Sequence, residues 1–337
     1  MPDSIQIGVL GAGAWGTALA KHLAHVYSNV RIWAYEKECV ACINEYHINA
    51  IFLPNVRLPD NIIATNNLDA FMHDLSHLVI VTPSHKLREV LSKIAPNMPR
   101  HCKIICATKG IESGSLMLMS ELISDVLGER AVERLAVLSG PSFALHVAEG
   151  RATSLSIAAE NQSFAVEMQH FISHSAFRAY WNCDLIGVQL GGALKNVIAI
   201  AAGACEGLQL GDNALAALVT RGLAEMTRLA VMMGGSAQTM SGLSGLGDLV
   251  LTCYGDLSRN RQLGLAIGKG KTLVQATEDR LTVAEGVKTA ACAYALANKY
   301  DVDMPITQRV YEALYHEKNA IQALDELLER ELKHDGC

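Results

Sequence analysis

The chain is short of charge and of aromatic rings: of its 337 residues 18% are charged and 5% aromatic, and 34 Asp and Glu outnumber 28 Lys and Arg. A formal net charge of −6 lacks the basic surface on which nucleic-acid affinity rests, so no nucleic-acid partner is expected. With 27 Gly and 8 Pro the chain is too poor in both for collagen or low complexity, and with 50% hydrophobic residues too apolar for disorder. It also lacks an uninterrupted apolar run of about 20 residues. The longest candidate, 185–210, is broken by Lys195, Asn196 and Glu206, which predicts a buried helix and no membrane span. The opening MPDSIQIGVLGAG has neither a basic n-region nor an apolar signal core, which predicts a cytoplasmic protein. Nine scattered cysteines form an odd set, and the pair Cys39 and Cys42 has no second pair at zinc-ligand spacing. Reduced thiols and no metal site are expected.

Proline is absent from residues 142–304, a stretch rich in Ala, Leu, Met and Gly. Proline is expelled from helix interiors, so this half predicts helices, with candidates over 188–203, 213–233, 289–299 and 306–315. Strand-like exceptions are 153–157 and 177–180. The earlier half alternates short Ile- and Val-rich runs (5–10, 30–34, 78–82, 103–107, 135–138) with helical segments, the pattern of βαβ units around a sheet buried on both faces. The expected fold is α/β: an N-terminal Rossmann-like, doubly wound, mainly parallel sheet domain over 1–187, then an all-helical domain over 188–330. At roughly 150 residues per domain, two domains also fit the length.

The strand at 5–10 runs directly into Gly11-Ala12-Gly13-Ala14-Trp15-Gly16 and a helical segment, with a second strand at 30–34 and Glu36 20 positions beyond Gly16. In that context G-x-G-x-x-G is a dinucleotide site. Gly11 permits the tight turn, Gly13 lets a pyrophosphate reach the backbone, and Gly16 lets the helix pack on the strand. The helix start then offers unpaired N–H groups to the phosphates. A carboxylate after the second strand suits the ribose hydroxyl of NAD, and a cation suits the NADP phosphate; Glu36 and Lys37 are both there. The choice between NAD and NADP stays open.

Further segments extend the pattern: GAGAWGTALA at 11–20, ATKG at 107–110, LSGPSFA at 138–144, IGVQLGGALKNVIAIAAG at 186–203 and TRGLAEMTRL at 220–229. GLGDLVLTC at 245–253, SRNRQLG at 258–264, VAEGVKT at 283–289 and MPIT at 304–307 follow in order. Over nearly its whole length the chain resembles the bacterial NAD(P)-dependent glycerol-3-phosphate dehydrogenases. The resemblance implies NAD(P)H as cofactor, reversible reduction of dihydroxyacetone phosphate to sn-glycerol 3-phosphate for phospholipid synthesis, and an active site between the two domains.

Hydride transfer to a ketone leaves negative charge on its oxygen, which calls for a positioned acid or cation. Lys195 lies on an otherwise apolar or small helix face, where burial tunes an ammonium toward proton transfer; a lysine snorkelling from a core helix is the plainer account. Lys109 follows a strand at the sheet edge where ligands collect, and the resemblance places it beside cofactor and substrate. Asp248 either orients the Lys195 ammonium or caps a helix. Ser258, Arg259 and Asn260 offer a hydroxyl, a guanidinium and an amide ahead of a helix, fit for a phosphate, or else form an ordinary capped surface helix. The resemblance gives these three to glycerol phosphate, lets Arg259 reach the cofactor, and adds Gly140 and Ser142 as substrate contacts. Ser142 is alternatively a helix N-cap. By the same resemblance Ala14, Trp15, Tyr35, Ala144, Val283 and Glu285 join Gly11, Gly13, Gly16 and Lys109 around the cofactor. One departure is Tyr35, where the family often carries His or Arg, which argues against strict NADP use.

Two other readings share these features. A β-hydroxyacid dehydrogenase would keep the turn and the helix lysine without needing Ser258, Arg259 and Asn260. A non-catalytic dinucleotide sensor would need no Lys195 opposite Asp248. A homodimer is the default assembly, because two-fold dimers are commonest.

Overall fold

The structure, a computed structural model, describes residues 5–278 and 284–332. The chain divides into two compact units. One runs to Lys109 and resumes over Met119–Leu185; the other takes Gly110–Leu118 and the chain from Ile186 onward.

Among the described residues the first unit has ten strands: β1 (Gln6–Leu10), β2 (Asn29–Trp33), β3 (Ile48–Asn49), β4 (Leu53–Arg57), β5 (Ile62–Thr65), β6 (His77–Ile80), β7 (Lys103–Cys106), β8 (Leu135–Ser139), β9 (Thr153–Ala158) and β10 (Phe177–Asn182). Eight of them form one sheet in the order β10-β9-β8-β7-β6-β1-β2-β5, while β3 and β4 make a separate antiparallel pair. From β5 through β8 every pairing is parallel, and β9 joins β8 antiparallel. The chain winds outward from β1 through β2 to β5, then returns to the other side of β1 as β6. Strand order therefore reverses between β1 and β6, the topological switch point at which doubly wound sheets bind ligands. The expected doubly wound, mainly parallel sheet is present. β6 and β8 are buried along their whole lengths, as strands covered on both faces must be.

Three helices of this unit matter for the site: α1 (Ala14–Ala24), α2 (Lys37–Tyr46) and α3 (Ala144–Ala148). The second unit is helical, with α4 (Leu185–Gly207), α5 (Gly211–Met232), α6 (Asp248–Tyr254), α7 (Arg259–Gly268), α8 (Glu285–Lys299), α9 (Pro305–Tyr315) and α10 (Ala320–Leu328) as its main elements. α4 is long and apolar enough to cross a membrane, yet 89% of its most apolar 18-residue window is buried in the protein, as expected of a core helix. α4 and α7 pack backbone to backbone: a Cβ on Gly203 would lie 1.9 Å from the Arg261 carbonyl oxygen, and one on Gly264 1.9 Å from that of Ile200. Glycine at both positions is what lets the helices touch. The eight cysteines among the described residues are all free thiols.

Candidate active site

In the sheet unit the turn after β1 has the geometry its glycines permit. Gly11 takes φ +122°, and its N–H reaches the Trp33 carbonyl at 3.1 Å. A Cβ on Gly16 would sit 1.9 Å from the Gly11 carbonyl oxygen, so that position must stay bare. At Gly13 a Cβ would meet nothing within 4 Å: the backbone lies open to an approaching group. Gly13 is the N-cap of α1, makes no side-chain cap, and the first turn carries no acidic residue. The buried indole N–H of Trp15 has no hydrogen-bond partner among the described residues. An open turn, an uncapped helix start and an orphaned donor fit the pyrophosphate of a dinucleotide.

Asn49, fully buried in β3, braces this turn from behind. Its side-chain amide donates to the Ala12 carbonyl at 2.8 Å and to the Thr17 hydroxyl at 2.7 Å. Tyr35, directly beyond β2, is 80% exposed, and Glu36 and Lys37 are the N-cap and first residue of α2.

Further along the same sheet edge, Lys109 Nζ donates to the Gly140 carbonyl at 3.0 Å and Ser142 Oγ donates to the same oxygen at 2.9 Å. The strands preceding them, β7 and β8, are parallel neighbours, which carries Lys109, Gly140 and Ser142 to one edge. Gly140 takes φ +147°, and a Cβ there would press on Leu155. The N-cap of α3 is Phe143, so the capping role open to Ser142 is not the one it takes. Ala144 begins α3.

In the helical unit Lys195 is buried, its side chain 10% exposed, and its ammonium donates to Asp248 Oδ1 and, at 2.9 Å, to Thr252 Oγ1. Asp248 has no exposure, and its negative charge is matched by this ammonium. Asp248 opens α6 with Gly247 as N-cap, so its side chain is paired with the lysine and is not the cap. Thr252 follows one turn later on the same face and donates to the Asp248 backbone carbonyl at 2.5 Å. Leu243–Gly247, a π-helical turn, delivers Asp248 to this place. Gly191, one turn before Lys195, lets α4 lie against that turn: a Cβ there would be 2.4 Å from the Ser244 carbonyl oxygen.

Asn260, buried on α7, donates to Asn196 Oδ1 at 2.9 Å and accepts the Gly286 N–H at 3.0 Å, tying together α4, α7 and α8. Ser258 is buried and caps α7 by accepting the Arg261 N–H at 3.2 Å, while Arg259 between them is exposed. Arg261 is paired with Glu206 at 2.7 Å and Asp256 at 2.9 Å. Glu285 opens α8, and Val283 lies outside the described residues.

Thus Lys195 and Asp248 are in contact, Asn260 is anchored beside Asn196, and Lys109, Gly140 and Ser142 converge. Thr252, Asn196 and Asn49 were not singled out by sequence reasoning. Thr252 is four residues from Asp248 and Asn196 is adjacent to Lys195, so helical spacing held a signal for both. Asn49 had none.

Comparison with known proteins adds an independent line. Residues 6–165 match the family model described as NAD-dependent glycerol-3-phosphate dehydrogenase N-terminus, and residues 184–325 match the corresponding C-terminus. The chain is 47% identical over 331 residues to glycerol-3-phosphate dehydrogenase [NAD(P)+] of Geobacter sp. (strain M21), covering 98% of this chain and 99% of that protein. The protein of the same name from Myxococcus xanthus is 46% identical over 97% of this chain and 98% of its own. The crystal structure of glycerol-3-phosphate dehydrogenase from Coxiella burnetii superimposes with a TM-score of 0.92 at 40% identity, over 98% of this chain and 100% of that one.

Proposed function

This chain belongs to the NAD-dependent glycerol-3-phosphate dehydrogenase family, and on that premise we propose that it uses NAD(P)H to reduce dihydroxyacetone phosphate reversibly to sn-glycerol 3-phosphate, a precursor in lipid metabolism. The observation that carries the reading is the buried Lys195 ammonium held between Asp248 and Thr252. We assign residues 1–187 as the dinucleotide-binding domain, apart from Gly110–Leu118, which packs with the helical unit, and 188–330 as the all-helical substrate and catalytic domain, each also lending residues to the other's ligand.

Bound NAD(P)H supplies the hydride. Gly13, Ala14, Trp15 and Gly16 hold the pyrophosphate through backbone N–H groups and the unpartnered indole, while Gly11, its own N–H bonded to Trp33, shapes the turn of this cofactor site. Tyr35, Lys109, Ala144, Arg259, Val283 and Glu285 complete the cofactor set. Charge growing on the ketone oxygen is met by the Lys195 ammonium, which passes a proton to it, and in the reverse direction the neutral amine removes that proton from the alcohol. Asp248 fixes the direction in which the ammonium points, and Lys109 supplies a second cation for the carbonyl. Ser258, Arg259 and Asn260 receive the phosphate, with Gly140 and Ser142 as further substrate contacts. Glu36 and Lys37 together support use of both NADH and NADPH, and no metal is required by this chemistry.

The decisive experiment follows NADH and NADPH absorbance separately, with dihydroxyacetone phosphate and with unphosphorylated dihydroxyacetone. Oxidation of both cofactors, dependent on the phosphate, is expected. Equal rates with and without phosphate would favour a hydroxyacid-type enzyme, and tight cofactor binding without turnover a sensor. A cytoplasmic location and a two-fold dimer complete the reading; the free thiols support the first and the prevalence of closed dimers the second. Sedimentation of the purified chain tests the dimer.

A further inference from the structure

The β3–β4 pair stands outside the eight-stranded sheet, inserted between α2 and β5. Leu53 and Val56 seat it in the core of the sheet unit, and Asn49 in β3 has no exposure. The orientation of the Asn49 amide is set by its neighbours. Its Oδ1 accepts the Phe52 N–H at 3.1 Å, from the connection of the same hairpin, while its Nδ2 faces two oxygens, the Ala12 carbonyl at 2.8 Å and Thr17 Oγ1 at 2.7 Å. The reverse orientation would set oxygen against oxygen at Ala12 and nitrogen against the Phe52 N–H. Thr17 Oγ1 in turn donates to the same carbonyl at 3.3 Å, so two side chains converge on one backbone oxygen.

That oxygen belongs to the peptide joining Ala12 to Gly13. The peptide is trans, so its C=O and N–H point in opposite directions. Holding the Ala12 oxygen against Asn49 and Thr17 therefore aims the Gly13 N–H away from them. Ala12 is buried, whereas Gly13, Ala14 and Trp15 are partly exposed, so this peptide stands where the turn leaves the core. Without its donors the Ala12 oxygen would be a buried acceptor left unsatisfied. Rotation of the peptide would relieve it, and would present a partial negative charge where phosphates are to bind.

We propose that Asn49 is a positioning residue for the cofactor pyrophosphate: through the Ala12 carbonyl, and together with Thr17, it holds the Ala12–Gly13 peptide in its binding orientation before the cofactor arrives. The proposal rests on the dinucleotide reading of this turn and is independent of which substrate is reduced. Loss of Asn49 falls on cofactor affinity, because the turn must then be reordered at binding. The proton donor of the reduction, Lys195, is in the other unit and keeps its own partners.

The test measures ADP-ribose binding to the full chain by calorimetry, beside steady-state oxidation of NADH with dihydroxyacetone phosphate. ADP-ribose carries the pyrophosphate and cannot turn over. Asn49→Ala should raise its Kd roughly 5- to 150-fold, the range for a buried polar group that loses its partner, and should raise the KM for NADH in parallel without lowering kcat at saturating NADH. Thr17→Val leaves Asn49 on the Ala12 oxygen and should raise the ADP-ribose Kd by about 2- to 12-fold, the worth of one neutral hydrogen bond. An unchanged ADP-ribose Kd in Asn49→Ala, or a fall in kcat at saturating NADH, which a generally loosened fold would produce, would overturn the proposal. Should Asn49→Ala fail to fold, Thr17→Val decides by the same two measurements. If the unmodified chain binds ADP-ribose but turns over no dihydroxyacetone phosphate, the dehydrogenase reading fails and the ADP-ribose comparison still decides the role of Asn49. If it does not bind ADP-ribose, both fail.

Discussion

The carboxylate of Glu225, on α5, takes the place of a cap for α9 by accepting the backbone N–H of Ile306 at 2.7 Å. It also accepts the Thr307 N–H and hydroxyl, each at 3.1 Å. Pro305 at the first position has no N–H to satisfy, so the next two donors are the ones that need a partner. Glu225 is 1% exposed, and burial pushes its carboxyl up to about 7 against those three hydrogen bonds.

That shift has a definite sign. Between pH 4.5 and 7 the folded chain holds a proton at Glu225 that the unfolded chain has released, so this group's stabilisation is complete below pH 4.5 and is lost as pH rises through 7. At about 1.4 kcal/mol per pKa unit the loss is on the order of 3 kcal/mol. Glu225→Gln keeps an acceptor without an ionisable proton. The difference in urea unfolding free energy between variant and unmodified chain should grow in the variant's favour from pH 5 to pH 8; a constant difference would remove the titration from Glu225.

The sheet unit should behave oppositely. Burial holds His22 and His77 down at about 4, His22 with its Nε2 against the Ile172 carbonyl at 2.7 Å and His77 stacked on Phe171 at 4.2 Å. Both are neutral when folded and protonate on unfolding below pH 6.5, so stability drops as pH falls from 6.5 to 4, by on the order of 3 kcal/mol for each. His77→Phe keeps the stacking and should flatten part of that acid limb. An unchanged slope between pH 6.5 and 4.5 would show that His77 does not titrate with unfolding.

Lys195→Met should lower kcat by roughly 10²- to 10⁴-fold, the range for a lost general acid. It should also destabilise the chain, by about 3–5 kcal/mol, because Asp248 would be left buried with its charge unmatched. Adding Asp248→Asn removes that charge. The double variant should regain most of the stability and none of the activity. Recovery of turnover in the double variant would mean that Lys195 serves only to neutralise Asp248.

Arg259→Ala should cut kcat/KM for dihydroxyacetone phosphate by roughly 10- to 150-fold, from a charge-assisted contact worth about 1.5–3 kcal/mol. Arg259→Lys should restore part of it, since an ammonium lacks the planar fork. The slow reaction of unphosphorylated dihydroxyacetone should change little. Equal losses on both substrates would move Arg259 from the phosphate to the cofactor or the fold.

The sheet was legible where a strand is buried on both faces, because such strands read as continuous Ile and Val runs; β1, β2, β6, β7 and β8 all did. The β3–β4 pair and β5 were not: Pro54 interrupts β4, and β5 is a four-residue edge strand. The antiparallel joining of β9 to β8 leaves no mark on composition, since both strands are buried in either direction. The pairing of Lys195 with Asp248 was legible because each stands out against apolar or glycine-rich surroundings. Asn49 and Glu225 were illegible for the converse reason: a polar residue in a connecting segment and a glutamate in a helix both read as solvated until the backbone groups they bond are in place.

The short segment Gly110–Leu118 belongs to the helical unit although the chain on both sides of it belongs to the sheet. Ile111 and Leu118 pair with each other and enter the helical core, where Cys292 Sγ lies 3.8 Å from the Ile111 carbonyl oxygen. On the ribosome this piece emerges well before α4 and must wait, with its apolar side chains unsatisfied, until α8 has been made. A fragment starting at residue 186 would be missing part of its own interior, so the helical half is not a module that can be excised, transplanted or expressed by cutting the gene once.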